Sequence, residues 1–156
     1  MSLRWITFLL LIVPFFAFSQ NSTRIDSTDY YLELANFNAK INNYRNSLEY
    51  TQEAILYARR HRLVYQEAKA YQSLGQWYLD IQKYEDAQET FRHSIDLYNT
   101  LKPSSNQAYT YYLYGLSLME REYYIEAEKS FDKAKTIYRS LQIDDASPML
   151  DLQKGI

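Results

Sequence analysis

An all-α fold made of tandem helical pairs is what this 156-residue chain predicts, and three observations predict it. The three glycines, Gly75, Gly115 and Gly155, stand 40 residues apart, and the residue types around them recur at the same interval, which marks a repeat architecture. Within each interval the apolar positions fall three and four residues apart. Ala68, Tyr71, Gly75 and Tyr78 form one such series, and Tyr84, Ala87, Phe91, Ser94, Tyr98 and Leu101 the next, each tracing one face of a helix. No run alternates with the period of two that a half-buried strand requires.

The elements follow in order. Residues 1–19 read as an export signal: Arg4 supplies the positive start, Trp5 to Phe18 carries no charge, and Ala17-Phe18-Ser19 offers small residues where a signal peptidase cuts. The run is shorter than the ~20 apolar residues that span a bilayer, and Pro14 interrupts it, so cleavage before Gln20 is expected, with no membrane insertion afterwards. Residues 20–27 are a short extension, and Ser27 or Thr28 caps the first helix.

Three repeats follow, over residues 28–63, 64–103 and 104–146. Asn42-Asn43 marks the turn inside the first and Gln82-Lys83 the turn inside the second; Lys102-Pro103-Ser104-Ser105-Asn106 separates the second from the third. Stepping by 40 pairs Tyr31 with Tyr71 and Tyr111, Leu34 with Leu74, Ala35 with Gly75 and Gly115, Ala87 with Ala127, and Phe91 with Phe131. A mid-helix glycine costs ~1 kcal/mol relative to alanine unless something must come close. The alanine twelve residues later, Ala87 or Ala127, is the expected neighbour. Tyr31, Tyr44, Tyr57, Tyr71, Tyr84, Tyr111 and Tyr124 occupy repeat positions, so much of the aromatic excess is assigned to the core. After Asp144-Asp145-Ala146, Ser147 as N-cap and Pro148 at the first helical position open a fourth repeat, residues 147–156, cut off before its second helix.

Composition removes whole classes of function. With 17 basic against 19 acidic residues the chain lacks the basic excess of a nucleic-acid reader or a polybasic membrane binder. Without cysteine there is no disulfide, thiolate metal site or Cys nucleophile, and three dispersed glycines cannot make a phosphate loop. His61 and His93 show no metal-ligand spacing, and Asp144-Asp145 sits where acids assist a helix N-terminus. No catalytic, cofactor-binding or metal site is expected.

The sequence resembles the tetratricopeptide repeats, in a 40-residue variant. Tyr71, Leu74-Gly75 and Tyr78, then Tyr84, Ala87, Phe91 and Ser94, are similar to that family's first-helix aromatic, Leu-Gly pair and second aromatic, and to its second-helix alanine, aromatic and small residue. The third repeat keeps Tyr111, Gly115, Tyr124, Ala127, Phe131 and Ala134; in the first, Ala35, Ser47 and Thr51 stand for the glycine, alanine and aromatic. The resemblance implies a right-handed α-solenoid whose first helices line a groove. Counted from the packing residues, the groove takes Leu32, Asn36 and Lys40, then Gln72, Gln76 and Leu79, then Tyr112, Leu116 and Met119. Amides at one end would bond a peptide backbone, and apolar groups at the other would take its side chains. Of the family's carboxylate clamp only Asn36 is matched; Leu32, Ser73, Tyr109 and Leu113 stand elsewhere.

The expectation is a non-catalytic interaction module for a protein or peptide, exported to the periplasm or envelope of a bacterium, with no cofactor and no bound nucleic acid. Self-association through the C-terminal repeat is expected as well. The alternative is the extracytoplasmic sensory part of a larger signalling protein, such as a sensor histidine kinase or a helix-turn-helix regulator.

Overall fold

The computed structural model describes residues 27–143. The export signal, the rest of the extension, Asp144-Asp145 and the start of a fourth repeat lie outside the described residues. Six helices follow one another: α1 (Ser27–Lys40), α2 (Tyr44–Arg60), α3 (Val64–Asp80), α4 (Tyr84–Tyr98), α5 (Ser105–Met119) and α6 (Tyr124–Ser140).

A 20-residue rhythm of turns sets the helix lengths. Asn42, Arg62, Gln82, Glu122 and Gln142 all take the left-handed conformation, with φ between 56° and 65°. In each case two backbone bonds close the end of the helix. After α3, the Gln82 N–H donates to the Leu79 carbonyl at 3.0 Å and the Lys83 N–H to the Tyr78 carbonyl at 2.8 Å; after α5, Glu122 and Tyr123 do the same with Met119 and Leu118. This is the Schellman arrangement, which satisfies carbonyls that a helix end otherwise leaves open. None of the five residues is glycine, although only Asn42 is of a type that tolerates this conformation well. The rhythm skips Lys102, because Pro103 restricts the backbone of the residue before it. Ser104 is extended there, and its hydroxyl accepts the Gln107 N–H at 3.2 Å to start α5.

Packing runs along the chain. The pairs α1–α2, α3–α4 and α5–α6 make the largest interfaces, α2–α3 and α4–α5 join successive pairs, and α1 touches α3 as α3 touches α5. The first helices of the pairs therefore form a row of their own. Ala54, Ile55, Ala70, Leu74 and Leu32 make one core cluster, and Ala87, Phe91, Tyr112, Leu113, Leu118, Ala127, Phe131 and Ala134 a larger one.

The mid-helix glycines meet an aromatic ring instead of the alanine expected from the sequence. A Cβ built on Gly75 would lie 2.6 Å from the Phe91 ring, and one on Gly115 would lie 2.5 Å from the Phe131 ring. Of the remaining packing positions, Ala35, Leu74, Ala87, Phe91, Ala127 and Phe131 are buried, while Tyr31, Leu34, Tyr71 and Tyr111 are half-buried. Tyr44 and Tyr124 depart from the core assignment: they are 48% and 60% exposed, at the start of α2 and of α6. Among the described residues no helix is long and apolar enough to cross a membrane.

Candidate functional site

The row α1–α3–α5 carries the side chains that the repeat places between first helices. Lys69 of α3 donates to the Asp29 carboxylate of α1 at 2.7 Å. Both side chains are well exposed, so the pair orders the surface more than it stabilises the fold. One turn along, the Thr110 hydroxyl of α5 donates to Gln72 Oε1 of α3 at 3.0 Å. A further turn along, Gln76 Nε2 donates to the Asp80 carboxylate at 2.7 Å.

At α5 the surface turns aromatic. Tyr109 stacks on Tyr112, with ring centroids 6.2 Å apart and planes 17° from parallel, and Tyr112 leans on Phe131 of α6 at 5.7 Å. Leu79, Leu116 and Met119 are half-buried against the same cluster. Burial, reinforced by the Asp80 carboxylate, pushes the Tyr109 phenol above its ordinary range; burial, reinforced by Tyr109, does the same to Tyr112. Both hydroxyls thus stay protonated, able to donate as well as accept hydrogen bonds.

The groove residues drawn from the sequence divide into three groups. Asn36 and Lys40 are exposed on α1. Gln72, Gln76, Leu79, Leu116 and Met119 are half-buried and accessible along the row. Leu32 and Tyr112 are corrections: at 4% and 9% exposure they belong to the core beneath the row. Counting faces on a single helix does not show this burial: Leu32 packs with Ala54 and Ile55 of α2 and Ala70 and Leu74 of α3, and Tyr112 leans on Phe131 of α6. Such counting also misses Asp29, Lys69, Tyr109 and Asp80. The first three stand one turn before Leu32, Gln72 and Tyr112, and the opposite charges of Asp29 and Lys69 across a 40-residue step were a readable signal.

The other candidates settle elsewhere. His93 stacks on Tyr71 at 5.6 Å and His61 lies 4.3 Å from the Tyr57 ring, so each imidazole covers a tyrosine. Among the described residues no three His, Cys, Asp or Glu side chains gather as a metal site. A shallow depression of about 330 Å³, lined by Gln82, Lys83, Tyr84, Glu85, Asp86 and Arg121, opens at the α3–α4 turn and carries mixed charge.

Residues 68–100, from the second turn of α3 to just past the end of α4, match the tetratricopeptide repeat family. No curated protein matches the chain. The six helices pack pairwise in tandem, as tetratricopeptide repeats do, and such repeats generally bind proteins or peptides and are typically non-catalytic.

Proposed function

We propose that this chain of tetratricopeptide-type repeats is an exported, non-catalytic scaffold that holds a peptide or protein segment along the row α1–α3–α5. One observation carries the reading: the row changes from amide and charged groups at α1 and α3 to half-buried Leu79, Leu116 and Met119 beside the Tyr109–Tyr112 stack. An extended segment needs both kinds of surface. Its backbone requires donors and acceptors, and Gln72 and Gln76 offer the atoms that their bonds to Thr110 and Asp80 leave over. Its apolar side chains require contact area, which α5 supplies. Export is supported by the composition of residues 1–19.

The test is site-specific photocrosslinking in the native envelope. A crosslinker at Gln76 or Leu116 should capture one partner repeatedly, while the same probe at Glu89 or Lys133, exposed on second helices, should not. Equal capture from both faces would remove the assignment. Intact mass of the exported chain should begin at Gln20, and a chain still carrying Trp5 to Phe18 would count against cleavage.

A further inference from the structure

The two junctions between repeats are built from residues in equivalent positions. At the first, Arg59 of α2 bonds the Tyr71 hydroxyl of α3, its guanidinium 5.9 Å from the ring centre. At the second, Tyr111 of α5 donates to Asn99, just past α4, at 3.4 Å. Residues 59 and 99 are 40 apart, and so are 71 and 111. Deeper in the junctions Ile55 and Ile95 are each 7% exposed, and Ala70 and Thr110 are fully buried.

Continuing the 40-residue step beyond the described helices gives two half-junctions whose counterparts are not among the described residues. After Arg59 and Asn99 comes Arg139, exposed on α6; before Tyr71 and Tyr111 comes Tyr31 on α1. Tyr30, at the position of Ala70 and Thr110, is 50% exposed, and Phe37, at the position of half-buried Trp77 and fully buried Ser117, is 60% exposed. On α6, Tyr124 is 60% exposed, whereas its equivalent Tyr84 is half-buried with its phenol held above the ordinary range by desolvation and by Glu120, just past α5.

We infer that these two faces are made for each other: the α1 face of one copy of this chain seats on the α5–α6 face of a second copy, head to tail, in the register of the internal junctions. The pairing is chemically consistent. Arg139 meets Tyr31 of the second copy as Arg59 meets Tyr71. Tyr109 meets Asp29 in the relation that joins Asp29 to Lys69, a phenol donating to a carboxylate. One position opposes the contact: Gln88 donates to the Ser117 carbonyl at 2.8 Å, and its equivalent on α6 is Glu128, which only accepts. Such a contact is heterologous, so it leaves a free face at each end and permits chains of copies. It also prolongs the row of first helices, bringing Asn36 and Lys40 of one copy beside Leu116 and Met119 of the other.

Sedimentation velocity on the full chain, over a roughly hundredfold range of concentration, tests this. The average mass should rise with concentration. Tyr30→Glu and Arg139→Glu, both at exposed sites, should each stay folded by circular dichroism and stay monomeric. Mixed together they should form a dimer and nothing larger, since one good face remains on each. Glu128→Gln should tighten association by about tenfold, the worth of one recovered hydrogen bond. A wild-type chain that is monomeric throughout overturns the inference. Association unaffected by Arg139→Glu overturns it in favour of a symmetric α1–α1 contact.

Discussion

The first repeat and the two that follow solve one packing problem differently. In the second and third, a phenyl ring from the second helix lies over the first helix, and glycine stands under it: Phe91 over Gly75, Phe131 over Gly115. In the first repeat Thr51 replaces the ring and Ala35 replaces the glycine, both 3% exposed, and the Thr51 hydroxyl donates back to the Ser47 carbonyl at 2.8 Å. The small residue and the large one thus change together. A methyl group is present on one helix where the other carries no aromatic ring, and both residues remain buried. The glycine is therefore set by the volume of the ring and not by a close approach of two backbones.

The largest loss is expected on the glycine side. Gly75→Leu should cost at least ~3 kcal/mol, because the added atoms begin inside the contact distance of a fully buried ring, and it should abolish the cooperative melt of the second repeat. Thermal melts followed by far-ultraviolet circular dichroism read the effect. Next in size is Thr51→Phe in the first repeat, expected to cost about 1–3 kcal/mol beside Ala35. Adding Ala35→Gly should recover much of that loss, and a double-mutant cycle without coupling would show that the two positions are independent.

Alkaline pH should have a smaller effect, concentrated in the later helices. Burial is the first cause that raises the phenols of Tyr78, Tyr98, Tyr109, Tyr112 and Tyr138, all on helices α3 to α6. A raised pKa in the fold means that the folded chain holds these protons more tightly than the unfolded chain, whose phenols titrate near 10.0. Their contribution is fully present below pH 10.0 and is lost as pH rises through the folded values. The melting temperature should be level up to that pH and then fall. Tyrosinate absorbance that rises as in free tyrosine, with the fold intact, would contradict the burial. The smallest effect belongs to the turns: Gln82→Gly should gain about 0.5–1 kcal/mol by relieving a left-handed glutamine, while Asn42→Gly should change little.

The helical pairs were legible because the 40-residue step and the three-and-four spacing agree, and burial of Ala87, Phe91, Ala127 and Phe131 follows from the same pattern. The contact beneath each glycine was not, since sequence spacing gives the face of a helix but not which residue of the opposing helix reaches it. The turns were half legible. Asn42-Asn43 and Gln82-Lys83 stand out beside polar neighbours, but Arg62 and Glu122 are not residue types that favour a left-handed backbone, and only the 20-residue interval betrays them. In the candidate groove the repeat register puts Asn36, Lys40, Gln72, Gln76, Leu79, Leu116 and Met119 at accessible positions, whereas Leu32 and Tyr112 are buried by contacts that one helix alone does not show, Leu32 with α2 and α3 and Tyr112 with Phe131 of α6.

Packing between helices is carried by partners one or two along the chain. Nearly every tertiary contact therefore closes a short loop, and a chain of low contact order folds fast, in microseconds to milliseconds. The same geometry makes cohesion local: among the described helices none from one end clasps the other, so a pulling force along the row is borne by one interface at a time. Under such a load the molecule should lengthen in steps of one helical pair, like a fastener opened tooth by tooth, with each remaining pair still folded.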